Sequence, residues 1–120
     1  MLSCAAGLET LKLMEEPHLE TSVREKGAWA LNYLREAQEK TSVVGNVRGA
    51  GLMLGFDIIP RNKLKPIELR DRIIARCFEE GVCYLPAGDA AVRIAPPLII
   101  EQDELRYGLS ILLAECKATH

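Results

Sequence analysis

The 120-residue sequence lacks the features that mark nucleic-acid-binding and membrane-spanning proteins. Fifteen basic residues are offset by seventeen acidic ones, so there is no positive surplus to neutralise phosphates. Aromatic residues make up only 5% of the chain, which leaves few rings to stack on bases. No apolar run approaches the roughly 20 residues that a membrane-spanning helix needs. We therefore expect neither a nucleic-acid partner nor a membrane partner.

Metal-ligand spacing is also missing. No two of the four cysteines follow a zinc-site spacing, and the histidines, His18 and His120, lie far from them. A chain of this length can bury about two thirds of its surface without disulfides. The N-terminus has neither the basic start nor the long apolar stretch of a signal peptide. We expect no metal site, reduced cysteines and a cytoplasmic location.

Hydrophobic periodicity predicts a single domain over residues 1–120 with alternating helical and extended segments. Helical spacing of apolar residues indicates helices over 2–15, 18–40, 66–81 and 101–117. Extended patterns indicate strands over 43–47, 52–59, 82–85 and 91–95. Short connections favour antiparallel pairing. The predicted fold class is α+β, a small antiparallel sheet of about four strands covered by helices, with one sheet face left open or covered by another domain.

Two helical regions raise the question of what surrounds them. The apolar residues of helix 2–15 fall on more than one face, so we expect it to be covered on more than one side. Trp29 and Tyr33 lie beside the main apolar stripe of helix 18–40. They either cover the edge of the core or form an interface with a partner.

Catalytic groups are scarce. Neither histidine is placed as a general base, and no serine or lysine has the surroundings of a nucleophile. The glycines between 45 and 55 precede a strand rather than a helix, which argues against a phosphate-binding loop. We therefore expect no catalytic and no cofactor-binding residue in this chain.

Arg93 is the exception among the polar residues. It alternates with Val92 and Ile94 on a short strand that ends in two prolines. A guanidinium there needs either an internal carboxylate or an anionic ligand, and the pattern alone favours the internal salt bridge. Arg48 resembles it more weakly, and a turn-stabilising role is the simpler interpretation there.

Three motifs together resemble the C-terminal domain of class III aminotransferases. They are residues 47–55 (VRGAGLMLG), 81–86 (GVCYLP) and 93–98 (RIAPPL). Residues 3–6 and the helix from 101 also fit the family, so the resemblance covers essentially the whole chain in order. It implies the small domain of an aspartate-aminotransferase-type (fold type I) enzyme dependent on pyridoxal 5'-phosphate. The family includes the 4-aminobutyrate, ornithine and acetylornithine aminotransferases and dialkylglycine decarboxylase.

The resemblance also implies roles. The family's arginine in the Arg-x-x-Pro-Pro-Leu motif binds a carboxylate of the amino-acid or 2-oxo-acid substrate, and here that residue is Arg93. The Schiff-base lysine, the aspartate at the cofactor ring nitrogen and most phosphate-binding groups belong to the large domain, which would precede Met1. We therefore expect a homodimeric parent enzyme, and a 120-residue piece that binds no cofactor and does not catalyse transamination alone.

Two other functions remain open at this point. The open sheet face, with Trp29 and Tyr33, could make the chain a stand-alone binding or interaction module without catalysis. The chain could also be a carboxylate sensor that uses Arg93, in which case the isolated chain would bind amino or oxo acids saturably.

Overall fold

The computed structural model describes residues 1–60 and 63–118, and within them the chain forms four helices and four strands. In chain order they are α1 (Leu2–Met14), α2 (Pro17–Lys40), β1 (Val44–Ala50), β2 (Met53–Ile58), α3 (Pro66–Glu79), β3 (Leu85–Ala87), β4 (Ala91–Ile94) and α4 (Gln102–Ala118). Prolines at the first position of α2 and α3 suit helix starts, where the missing N–H has no intrahelical partner. His120 lies outside the described residues.

The strands form one sheet in the order β1-β2-β4-β3, and every neighbouring pair is antiparallel. This confirms the predicted α+β class with a four-stranded antiparallel sheet. On the central strand β2, Leu54, Phe56 and Ile58 are buried, while the alternate residues face the other side of the sheet. The same alternation buries Val92 and Ile94 on β4.

Helices α2, α3 and α4 cover the apolar face of the sheet. Each contributes one buried stripe, and the stripes meet the β2 and β4 side chains in one core cluster. Their buried apolar residues include Ala30, Leu34, Leu69, Ile73, Cys77, Leu105, Leu109, Leu112 and Cys116. On the opposite face the side chains of Arg48, Met53, Leu85 and Arg93 are exposed. Alternation with Val92 and Ile94 predicts that the Arg93 side chain lies on this open face.

Three local predictions were wrong. The strand predicted over 82–85 begins only at Leu85 and includes Pro86, which an edge strand tolerates because one side of it is unpaired. Val82 instead donates its N–H to the Cys77 carbonyl at 2.9 Å and completes the end of α3. Strand β1 extends three residues beyond its predicted end, to Ala50. Phe78, assigned to the apolar stripe of α3, is 66% exposed.

Helix α1 is exposed along its whole length. None of its 13 residues is buried, and α2 is the element against which it rests. Leu8, Leu11, Leu13 and Met14 each keep more than half of their surface accessible. The expected cover on several sides is therefore not provided by the part of the chain that the structure describes. No described helix has both the length and the apolarity needed to cross a bilayer.

Candidate carboxylate-binding site

Arg93 lies at the middle of the open sheet face. It sits on β4, opposite Gly55 of β2 on one side and Leu85 of β3 on the other. Its side chain is exposed because the neighbours Val92 and Ile94 point into the core. No residue that the structure describes hydrogen-bonds or ion-pairs with the Arg93 guanidinium. The internal salt bridge that the sequence pattern favoured is thus not formed within these residues.

Arg48, Gly55 and Arg93 form one row across three strands. Gly55 is the register partner of both arginines, which places the two arginine α carbons about 10 Å apart, at two strand spacings. Between them is a shallow cavity of about 220 Å³ whose lining includes both arginines and no carboxylate. Whole-ligand pockets are generally larger, about 300–1,000 Å³. This cavity can therefore seat a carboxylate-sized group but not a complete substrate.

A β-bulge brings Arg48 onto the open face. Two residues of β1, Asn46 and Val47, stand where β2 has only Phe56, and Asn46 adopts a positive φ of 49°. Without the extra residue, Val47 rather than Arg48 would lie opposite Gly55. The Gly45-Asn46 dipeptide inside a strand pattern is the sequence signal for such a bulge, and the sequence reasoning did not use it.

Arg48 is already engaged. Its guanidinium donates to Asp57 Oδ1 at 2.8 Å and to the Asn46 carbonyl at 2.8 Å. The Asn46 side-chain amide donates to Asp57 Oδ2 at 2.8 Å. Hydrogen bonding from Arg48 lowers the pKa of Asp57, aided by Asn46 and opposed by partial burial. Arg48 therefore links the bulge of β1 to the neighbouring strand, and not to the turn at 49–51 that the sequence suggested.

A buried arginine supports the strand that carries Arg93. Arg70 on α3 is only 4% exposed, and its guanidinium bonds to Asp71 at 2.7 and 2.8 Å and to the Gly88 carbonyl at 2.5 Å. Gly88 lies in the turn between β3 and β4, so Arg70 fastens that turn to α3. Sequence reasoning missed it. The available signal was its position three residues before Ile73 on the apolar stripe, where a charge needs partners.

Trp29 and Tyr33 contact each other and the edge of the core. Their rings stack with centroids 5.2 Å apart, and the Arg106 guanidinium lies 5.4 Å from the centre of the Trp29 ring. Both aromatic residues are half-buried and pack against the core cluster. These contacts match the interpretation of the pair as cover for the core edge.

A larger cavity, about 600 Å³, lies elsewhere, between residues 81–84 and the start of α4. Its lining is mostly apolar, carries the carboxylates of Asp103 and Glu104, and contains no basic side chain. A substrate carboxylate would meet like charge there without a cation to offset it. The cavity beside Arg93, although smaller, has the suitable charge.

Within residues 1–60 and 63–118, the thiols and the potential metal ligands do not form a reactive cluster. Desolvation raises the pKa of Cys77 to about 11 and that of Cys116 to about 12, so both are protonated at neutral pH. Cys4 and Cys83 are exposed, and all four cysteines are free. Within the described residues no three His, Cys, Asp or Glu side chains group to hold a metal.

Comparison with known proteins gives a consistent family. The family model for aminotransferase class-III matches residues 1–115. The chain is 36% identical over 119 residues to a 5-aminovalerate aminotransferase DavT of Pseudomonas aeruginosa, covering 96% of the chain and 28% of that protein. It is 32% identical over 117 residues to an alanine/serine racemase of Pyrococcus horikoshii, covering 96% of the chain and 25% of that protein. It thus spans about a quarter of these relatives.

A solved structure shows the same fold. The acetylornithine aminotransferase of Elizabethkingia anophelis superposes with a TM-score of 0.84 at 23% identity, over 98% of this chain and 28% of that one.

Proposed function

The chain belongs to the class III aminotransferase family, and from that premise we propose that it is the small, C-terminal domain of a pyridoxal 5'-phosphate-dependent aminotransferase. In this proposal Arg93 binds the substrate carboxylate. The parent enzyme, a cytoplasmic homodimer resembling 4-aminobutyrate aminotransferase, transfers an amino group from an amino acid to a 2-oxo acid. The similarity to an enzyme named for 5-aminovalerate, itself an amino acid, supports this substrate class.

The observation that carries the proposal is the unpaired guanidinium of Arg93 on a rigid strand. Its backbone is fixed by pairing on both sides, with Gly55 of β2 and Leu85 of β3. A planar fork of donors held in this way suits bidentate binding of a carboxylate. The adjoining cavity has room for that group and no competing carboxylate in its lining. Binding there would orient the rest of the substrate away from this domain.

We propose that the described residues do not hold pyridoxal 5'-phosphate. Lys12 and Lys40 pair with glutamates on their own helices, and Lys26 donates to the Ile100 carbonyl. None of the lysines lines the cavity beside Arg93. Since the chain spans only about a quarter of its relatives, we assign the cofactor and its chemistry to the remainder of the parent. We accordingly propose that the 120 residues alone do not catalyse transamination.

The test is substitution of Arg93 in the full-length enzyme that contains this domain. Arg93→Ala should reduce kcat/KM for an amino acid by a factor that corresponds to about 2–5 kcal/mol of transition-state stabilisation. This range assumes that the rest of the parent covers the open face, so that the substrate carboxylate loses its partner in a desolvated site. An amine donor without a carboxylate should lose much less. Arg35→Ala, which removes an exposed arginine from α2, is the matched control and should leave both rates unchanged.

Two results would contradict the assignment. Equal losses for the amino acid and the amine would make Arg93 structural. Racemisation of the amino acid without any need for a 2-oxo acid would place the parent with the racemase relative and not with the aminotransferases.

The exposed helix α1 favours a second candidate, a stand-alone interaction module. Its apolar side chains lie on several sides and are not buried by the described chain, so a partner or a second copy could cover them. Light scattering on the 120-residue chain distinguishes the two proposals. A stable dimer or complex formed through α1, without any longer parent, would support the module. A monomer that binds no dye specific for exposed apolar surface would oppose it.

A further inference from the structure

Asp57 is close enough to Arg93 to compete with a substrate for it. Asp57 lies opposite Ala91 on β4, two residues from Arg93 and on the same sheet face. Such diagonal neighbours have α carbons about 7–8 Å apart, within reach of a long side chain. A carboxylate in this position beside a free guanidinium would ordinarily pair with it.

Both oxygens of Asp57 are instead bound from the opposite direction. Arg48 donates to Oδ1 and Asn46 donates to Oδ2, each at 2.8 Å. Both donors belong to β1, which flanks β2 on the side away from Arg93. The Asp57 side chain is therefore directed toward β1, and Arg93 has no partner among the described residues.

We propose that Arg48 and Asn46 form a clamp that holds Asp57 toward β1 and thereby keeps Arg93 free for the substrate carboxylate. The inference rests on the proposed function of Arg93. It makes Arg48 a positioning residue, because Arg48 acts on Arg93 only through Asp57.

The bulge of β1 makes the clamp possible. It places Arg48 on the open face and turns the Asn46 carbonyl toward the Arg48 guanidinium. Among the described residues, that guanidinium donates only to Asn46 and Asp57. The Arg48 guanidinium thus bonds to its own strand through Nη1 and to Asp57 through Nη2. If Arg48 is removed, Asp57 keeps a single amide donor, and rotation of its side chain toward Arg93 restores an ionic partner.

The first experiment measures the pKa of Asp57 by NMR in the 120-residue chain and three variants: Arg48→Met, Arg93→Met and the double variant. In the presence of Arg48, Arg93→Met should change the pKa of Asp57 very little. In the Arg48→Met background, the same substitution should raise it by about one unit, because Asp57 has by then turned to Arg93. An equal effect of Arg93→Met in both backgrounds, or no effect in either, would overturn the clamp. Arg48→Gln replaces Arg48→Met if the latter does not fold.

The second experiment uses the full-length enzyme. If Asp57 pairs with Arg93 nine tenths of the time in Arg48→Met, KM for an amino acid should rise about tenfold. KM for an amine donor without a carboxylate should not change. Adding Asp57→Asn should restore KM, which a purely structural role of Arg48 would not allow. Failure of the rescue refutes the clamp while leaving the proposed function intact. Insensitivity of the amino-acid reaction to Arg93→Ala refutes the proposed function itself.

Discussion

Gly27 on α2 leaves no room for a side chain, so replacing it with alanine should destabilise the domain. A β carbon at this position would lie 2.3 Å from the Gly51 carbonyl oxygen, 2.5 Å from its carbonyl carbon and 2.7 Å from its α carbon. Gly51 belongs to the turn between β1 and β2 and has a φ of +52°. The close approach of α2 to this turn therefore depends on a glycine at 27.

The expected loss follows from two opposing effects. Alanine is favoured over glycine inside a helix by about 1 kcal/mol. Relief of the clash needs α2 to move away from the turn, because the atoms that the new β carbon meets are backbone and cannot rotate away as a side chain would. We assign this the upper part of the overpacking range, about 3 kcal/mol. Gly27→Ala should then lower the free energy of unfolding by about 2 kcal/mol.

Urea denaturation followed by circular dichroism measures this change. Gly7→Ala on α1 is the matched control, because a β carbon at Gly7 meets nothing within 4 Å. That variant should be neutral or more stable by up to about 1 kcal/mol. If Gly27→Ala were as stable as the parent chain or more so, the contact between α2 and the turn would not be as close as described.

Three further predictions follow from burial and charge. A thiol reagent should modify two cysteines rapidly in the folded chain and all four after denaturation, the slow pair being Cys77 and Cys116. The folded-state pKa of Asp57 is below its unfolded value, so the stability that Asp57 contributes is present above about pH 4 and is lost as the pH falls through the folded pKa. Asp57→Asn should therefore reduce the difference between the urea midpoints measured at pH 7 and at pH 3. Arg70→Met should lower the free energy of unfolding by about 1–3 kcal/mol, because the Gly88 carbonyl loses its donor. Urea denaturation measures this change. An unchanged midpoint would mean that water replaces the guanidinium there.

The parts of the fold that follow from local pattern were predicted well. Helix α4 buries every residue assigned to its stripe: Leu105, Leu109, Leu112, Leu113 and Cys116. A period of 3.6 residues is a property of consecutive positions, so it can be recognised without knowing what the helix packs against. Phe78 shows the limit, since it fits the stripe of α3 yet is 66% exposed.

The candidate site was likewise predicted only in part. The sequence alone directed Arg93 to the face opposite Val92 and Ile94, because alternation along a strand is local, and the motif resemblance gave it a role that stays a proposal. The sequence could not show whether a carboxylate of the chain reaches Arg93. That depends on which residues of β1, β2 and β4 lie opposite one another.

The sequence by itself determined the order and type of the elements, the α+β class and the family resemblance. Only the tertiary structure decided that a bulge turns Arg48 toward Asp57, that Arg70 is buried against the turn at Gly88, and that Arg93 stays unpaired. The physical reason is that hydrogen-bond partners across strands are set by register. A shift of one residue moves a side chain to the other face, and no pattern within a single segment records that choice.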